Sequence, residues 1–307
     1  MNDHPTRSPR GGSALPARLA PVILAILLAA CSSGTGGTPT PSGSAGSTPA
    51  PTATPGSSGA IGPSTDPTVL ILRAEQAGGF VAPGFLVTRT PQFSLYGDGT
   101  VIYQLPVDPN APAAPGPPAL GRAQMNGEQM DALLTFALNA GRLADAKPLY
   151  VNPFVADAPS TVFTVATDLV TKTVEAQALG LAADPASPDA PVLTALGRLW
   201  DLLSNFGDQV RRGNASDAGT YQPRAYRGIL REGQALEQGI DWPWTDLSSD
   251  DFVASGDFGF RTAVLTPAQA MVLSSTPQGG LFDMQIVGPD RVPYTIALRP
   301  LLPDEKT

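Results

Sequence analysis

The densest grouping of side chains able to do chemistry is Asp241-Trp242-Pro243-Trp244-Thr245-Asp246, which continues through Asp250, Asp251 and Asp257. Two of the three tryptophans and five aspartates fall within these seventeen residues. Indole faces form a platform for a sugar ring or an apolar side chain, and carboxylates accept hydroxyl or amide protons. One reading is therefore a surface that binds a glycan or a peptide. A second is calcium, a hard cation that takes oxygen ligands, although the D-x-[DN]-x-[DN]-G-x5-E loop that would specify it is missing. A third has the indoles plugging a loop onto the core while the aspartates cap short helices and keep the loop soluble. Asp241, Trp242, Trp244, Asp246, Asp250 and Asp251 are the candidate ligand-binding residues, and no metal is assigned to them.

Other chemistries are excluded by residue type. The chain has one histidine, His4, and one cysteine, Cys31. A Cys/His zinc site has too few residues to draw on, and a Ser-His-Asp or Cys-His arrangement has no base in a mature chain from which a leader carrying His4 is removed. Lysine occurs only at Lys147, Lys172 and Lys306, and no Ser-x-x-Lys is present, so Ser-Lys catalysis has no support. No Walker loop and no strand-preceded Gly-x-Gly-x-x-Gly appears, and no cofactor is called for. A net charge of −8 argues against a protein that grips nucleic-acid backbones. Carboxylate-pair catalysis stays open, because glycoside hydrolysis needs only two acidic side chains at a set separation.

The N-terminus carries an address. Residues 1–18 are polar and contain Arg7, Arg10 and Arg18; a twelve-residue apolar run follows from Leu19 to Ala30. A positive flank, a short apolar stretch and small residues at its exit describe a secretory signal, and the run is too short to span a bilayer. The segment Leu28-Ala29-Ala30-Cys31 resembles the lipobox of bacterial lipoproteins, with the only cysteine in its obligatory last position. The resemblance implies cleavage before Cys31, a diacylglycerol on its sulfur and acylation of the new amino terminus. Residues 1–30 are then a signal peptide, and two or three acyl chains anchor the rest to the membrane. Loss of the leader would leave 16 basic and 26 acidic residues, a net charge of −10, and no histidine.

From Ser32 to Thr65 every residue is Ser, Gly, Thr, Pro or Ala except Ile61. Such a segment cannot bury enough apolar surface to offset its ordering entropy, so 31–66 reads as lipidated Cys31 followed by a tether with a reach of about 30 Å. The body, 67–305, opens with the buried-strand pattern Thr68–Leu72. Phe93–Tyr96 and Val101–Tyr103 flank Gly97-Asp98-Gly99, a hairpin signal in which Asp98 is a turn residue. A proline-rich loop covers Pro106 to Pro118. Asn126 with Gln129 predicts a capping box, and Met130, Leu133, Leu134, Ala137 and Leu138 predict a helix face ended by Gly141. Thr161–Val165 with Val170–Ala176 reads as a second hairpin, and 191–206 as a helix with Gly207 beyond its end. Strands follow near Tyr226–Leu230 and Arg261–Leu265, a helix starts at Thr266-Pro267-Ala268-Gln269, and a last hairpin pairs Phe282–Val287 with Tyr294–Leu298. Strands that arrive in hairpins predict an α+β fold, antiparallel hairpins packed with two or three helices. Met125–Met130 echoes Leu265–Ala270, which makes two related halves, 67–215 and 216–305, an open reading.

The strings FSLYGDGTVIY (Phe93 to Tyr103) and RPLLPDE (Arg299 to Glu305) resemble those of uncharacterised bacterial lipoproteins from high-GC lineages, a group with no activity to carry over. The expectation is a lipid-anchored extracytoplasmic domain that binds or scaffolds rather than catalyses. Its partners are the membrane, through the lipid, and an envelope protein or glycan. The alternatives are a small-ligand receptor feeding a transporter, and a carboxylate-based cell-wall glycan hydrolase.

Overall fold

A computed structural model describes residues 64–106, 119–168, 170–181, 184–233, 239–256, 259–276 and 284–306. The leader, Cys31 and the tether as far as residue 63 lie outside the described residues, as do Asp257, Phe282 and the loop from 107 to 118.

The apolar runs form strands where their alternation predicts them. In chain order the elements are β1 (Leu70–Ala77), α1 (Pro83–Thr88), β2 (Phe93–Tyr96), β3 (Thr100–Gln104), β4 (Leu120–Gln124) and α2 (Gly127–Thr135). A π turn, Phe136–Ala140, then leads to β5 (Leu149–Tyr150), β6 (Ser160–Ala166), β7 (Thr171–Gln177), α3 (Ala190–Ser204), α4 (Phe206–Arg211) and β8 (Ser216–Thr220). The remainder is β9 (Tyr226–Glu232), β10 (Ile240–Asp241), a 3-10 turn at Ser249–Asp251, β11 (Val253–Ala254), β12 (Arg261–Leu265), α5 (Pro267–Ser274), β13 (Met284–Val287) and β14 (Pro293–Pro300). They build two sheets, ordered β5-β7-β6-β1-β2-β3-β4-β8 and β10-β13-β14-β9-β12-β11. Every pairing is antiparallel except β5 with β7 and β10 with β13. The fold is α+β.

One face of the first sheet is covered by α2, α3 and α4. The expected helical stripe Met130, Leu133, Leu134, Ala137 and Leu138 is buried, with Leu196, Leu199 and Leu203 of α3 beside it. Phe206 packs its ring 4.9 Å from Phe93 and 5.5 Å from Tyr103, a tilted and edge-on arrangement that suits aromatic quadrupoles. Tyr96, Ile102 and Leu120 form the opposite face, where Leu302 from the C-terminal tail lies against them. The second sheet packs α5 through Ala270 and Leu273 onto Leu230, Leu265, Ile286 and Ile296.

Turn and cap chemistry follow the residue types. Asn126 Oδ1 accepts from Gln129 N at 2.9 Å while Gln129 Oε1 accepts from Asn126 N at 2.9 Å. Thr266 and Gln269 repeat that reciprocal box at α5, each box contributing about 1 kcal/mol. Gly99 holds φ +83°, and a Cβ there would sit 2.2 Å from the Met125 carbonyl oxygen, so only glycine closes the β2–β3 turn. Asp98 accepts from both the amide and the hydroxyl of Thr100, as a turn residue does.

Several boundaries differ from expectation. The 191–206 helix breaks at Asn205, whose side-chain amide donates to the Asp201 carbonyl, and Phe206 begins α4 by turning into its aromatic pocket. Gly207 therefore lies inside α4 rather than past a helix end. Between the first two strands, where the sequence shows no helix signal, the chain winds into α1, with Pro83 preset in its first turn. These short pieces bring the α-helices among the described residues to five, against an expected two or three. The division at residue 215 falls before β8, which pairs with β4 and belongs to the first sheet. Both sheets share a strand leading into a capped helix, β4–α2 and β12–α5. The following hairpin docks on the central strand by its first member in one sheet, β6 on β1, and by its second in the other, β14 on β9.

Candidate functional site

The tryptophan loop leaves β10 and is pinned at each indole. Trp244 is buried, and its indole N–H donates to the Gln269 carbonyl of α5 at 2.9 Å. Trp242 is half-buried and donates to the Leu247 carbonyl at 2.6 Å. The Trp242 ring stands edge-to-face with Trp244 at 5.2 Å, Phe252 at 6.2 Å and Tyr294 at 6.3 Å. This is an aromatic plug in the core of the second sheet, and it consumes both indole donors.

The aspartates diverge from one another. Asp246 accepts from Gln269 Nε2 at 3.0 Å, tying the loop again to α5. Asp251 accepts from the amide and hydroxyl of Ser248 and caps the 3-10 turn. Asp250 is 98% exposed and reaches Arg261 at 4.0 Å, too solvated to hold much energy. Asp241 is exposed on β10. Each candidate carboxylate thus has its own surroundings. Among the described residues no group of three or more His, Cys, Asp or Glu side chains is placed to hold a metal ion. Asp290 braces the same region: it accepts from Tyr294 Oη at 2.8 Å and Val292 N at 3.0 Å, bonds that hold its carboxyl below the ordinary range.

Another constellation, which sequence reasoning missed, joins the two sheets. Arg73 of β1 donates to Asp304 at 2.9 Å, and Tyr96 of β2 donates to the same oxygen at 2.8 Å. Five residues before Asp304, Arg299 of β14 grips Glu305 through both guanidinium nitrogens, while Leu302 N–H donates to that carboxylate at 2.8 Å. Burial pushes the Tyr96 phenol far above its usual value, so it stays a donor. Burial also pushes Glu305 up, but the Arg299 fork and the Leu302 amide outweigh it and hold the carboxyl below normal. Glu75, between these pairs in electrostatic reach, is raised by burial with Arg73 and Arg299 pulling part of the way back. The signal in the sequence was the clustering of Arg299, Asp304 and Glu305 in the RPLLPDE string. Its partner on β1, 231 residues away from Asp304, carries no local mark.

No protein-family model, curated protein or solved structure matches the chain. Among the described residues no helix is long and apolar enough to cross a membrane.

Proposed function

We propose that the protein is an exported lipoprotein, held at the outer side of a cell membrane by acyl chains on Cys31, whose body is a non-enzymatic binding or scaffolding domain. The observation that carries this reading is the sequence Leu28-Ala29-Ala30-Cys31, with the chain's only cysteine at the end of an apolar run and an uncharged Ser/Gly/Thr/Pro/Ala segment after it. Acyl chains at about 0.8 kcal/mol per buried CH₂ give lasting membrane attachment once two or more are present. The non-catalytic part is supported by residue types: a chain with one histidine in its leader, one cysteine at the lipidation position and no Ser-x-x-Lys has few nucleophile–base pairs to draw on.

Cell fractionation with labelled palmitate tests the anchor. The native chain is expected in the membrane fraction with label incorporated, and Cys31→Ala is expected to lose the label and shift to the soluble or secreted fraction. Unlabelled native protein would overturn the proposal.

A further inference from the structure

A cleft of about 650 Å³ opens between the uncovered face of the first sheet and the C-terminal tail. Its walls carry Arg122 from β4, Thr220 from β8, Tyr221, Gln222 and Arg224 from the segment joining the sheets, and Glu305 from the tail. That volume lies within the roughly 300–1,000 Å³ of small-ligand sites.

The charges in it are unevenly matched. Its two acids are engaged within the chain: Asp98 by the amide and hydroxyl of Thr100, and Glu305 by Arg299 and the Leu302 amide. Among the described residues neither the Arg122 nor the Arg224 guanidinium has a hydrogen-bond or ion-pair partner. Both line the same cleft. Burial pushes the Tyr221 phenol up to about 12, Glu305 adding to the rise while Arg224 and Arg122 oppose it. That phenol donates to the Leu301 carbonyl at 2.7 Å and so offers a ligand only its oxygen. A protein of net charge −8 thus presents, at one cleft, a surplus of unpaired guanidinium donors.

Guanidinium groups offer planar pairs of N–H donors that match carboxylate and phosphate oxygens. We infer that this cleft binds a small ligand through an oxyanion, a carboxylate or phosphate group, held by Arg122 and Arg224. The inference rests on the non-catalytic binding reading and names the chemistry of what is bound.

Isothermal titration calorimetry on the full chain in detergent micelles tests it, with inorganic phosphate, glycerol 3-phosphate and glucuronate as probes and glucose as the neutral comparison. Saturable binding of at least one anion is expected, with no heat from glucose. Arg122→Gln and Arg224→Gln are each expected to weaken it tenfold or more, while Arg198→Gln, an equal charge change on the exposed face of α3, leaves it unchanged. A preference for glycerol 3-phosphate identifies a lipid headgroup as the source, and a preference for glucuronate or inorganic phosphate a free solute. No saturable heat from any anion, or equal weakening by all three variants, overturns the inference and leaves the anchor untouched. Probe conversion seen by NMR, with the same arginine dependence, would keep the site and overturn the non-catalytic reading.

Discussion

Arg73 on the third residue-pair of β1 and Asp304 in the C-terminal tail meet at 2.9 Å, with only 13% and 21% of their side chains exposed, and so fasten the chain's last residues to its first strand. Tyr96 shares the carboxylate. A partly buried pair of this kind is costly to break on one side, because the other charge is left unmatched. Arg73→Gln or Asp304→Asn should each lose about 2–4 kcal/mol of stability, and the double variant should lose less than the sum by about 1–2 kcal/mol. Denaturant unfolding of the four proteins measures that coupling. A value below about 0.5 kcal/mol would mean that the tail is held by Leu302 packing, the Arg299–Glu305 fork and the Tyr221 bond rather than by this pair.

Glu305 and Glu75 should move stability with pH in opposite directions. Glu305 has a folded value below its ordinary 4.5, so its contribution is present above pH 4.5 and lost as pH falls through the folded value. Glu305→Gln should therefore be less stable than the native chain at pH 7, by about 2–3 kcal/mol for a charged hydrogen-bonded partner, and the gap should close in acid. Glu75 has a folded value above 4.5, which favours the native state at low pH and disfavours it as pH rises through that value. Glu75→Gln should match the native chain below pH 4.5 and exceed it at pH 7. Unfolding midpoints from pH 3 to 8 decide this, and parallel pH profiles for the two variants would contradict it.

Local chemistry made much of this fold legible. The Asn126–Gln129 and Thr266–Gln269 boxes, the Gly97-Asp98-Gly99 turn and the apolar stripe on α2 each depend on residues a few positions apart, and all form as their types dictate. What escaped depends on distant partners. β4 and β8 have ordinary or polar sequences and become strands because they pair, Leu120–Gln124 with β3 and Ser216–Thr220 with β4. In the candidate site, the sequence offered the Trp/Asp loop three readings. Geometry aligns its residues with core packing and capping, since Gln269, which accepts the Trp244 N–H and donates to Asp246, lies on a helix that no local pattern connects to the loop. The arginine cleft had no local signal, because Arg122 on β4 and Arg224 in the segment joining the sheets lie far apart in the chain.

Gly99 and Gly213 separate conformational strain from collision. Both hold positive φ, +83° and +81°, but a Cβ at Gly99 meets the Met125 carbonyl oxygen at 2.2 Å whereas one at Gly213 meets nothing within 4 Å. Gly213→Ala should cost only the left-handed backbone, about 1–2 kcal/mol. Gly99→Ala adds a clash with main chain that cannot swing aside and should cost more than 3 kcal/mol. Thermal unfolding of the two variants gives the comparison, and equal losses would show that the β2–β3 turn yields.

The tryptophans bear most directly on function. Trp244→Ala removes a buried ring and orphans the Gln269 carbonyl, and should cost about 3–5 kcal/mol. Trp242→Ala, half-buried but in contact with three aromatic rings, should cost about 2–4 kcal/mol. Asp250→Ala should change stability by less than about 0.5 kcal/mol, and Asp251→Ala by about 1 kcal/mol through its lost cap. A glycan-binding surface makes the opposite demand: its rings must face solvent, and their removal must abolish ligand while sparing the fold. Chemical denaturation run beside binding to cell-wall glycan fragments distinguishes the two. Stable tryptophan variants that lose glycan would make this loop a glycan-binding surface and overturn its reading as an aromatic plug.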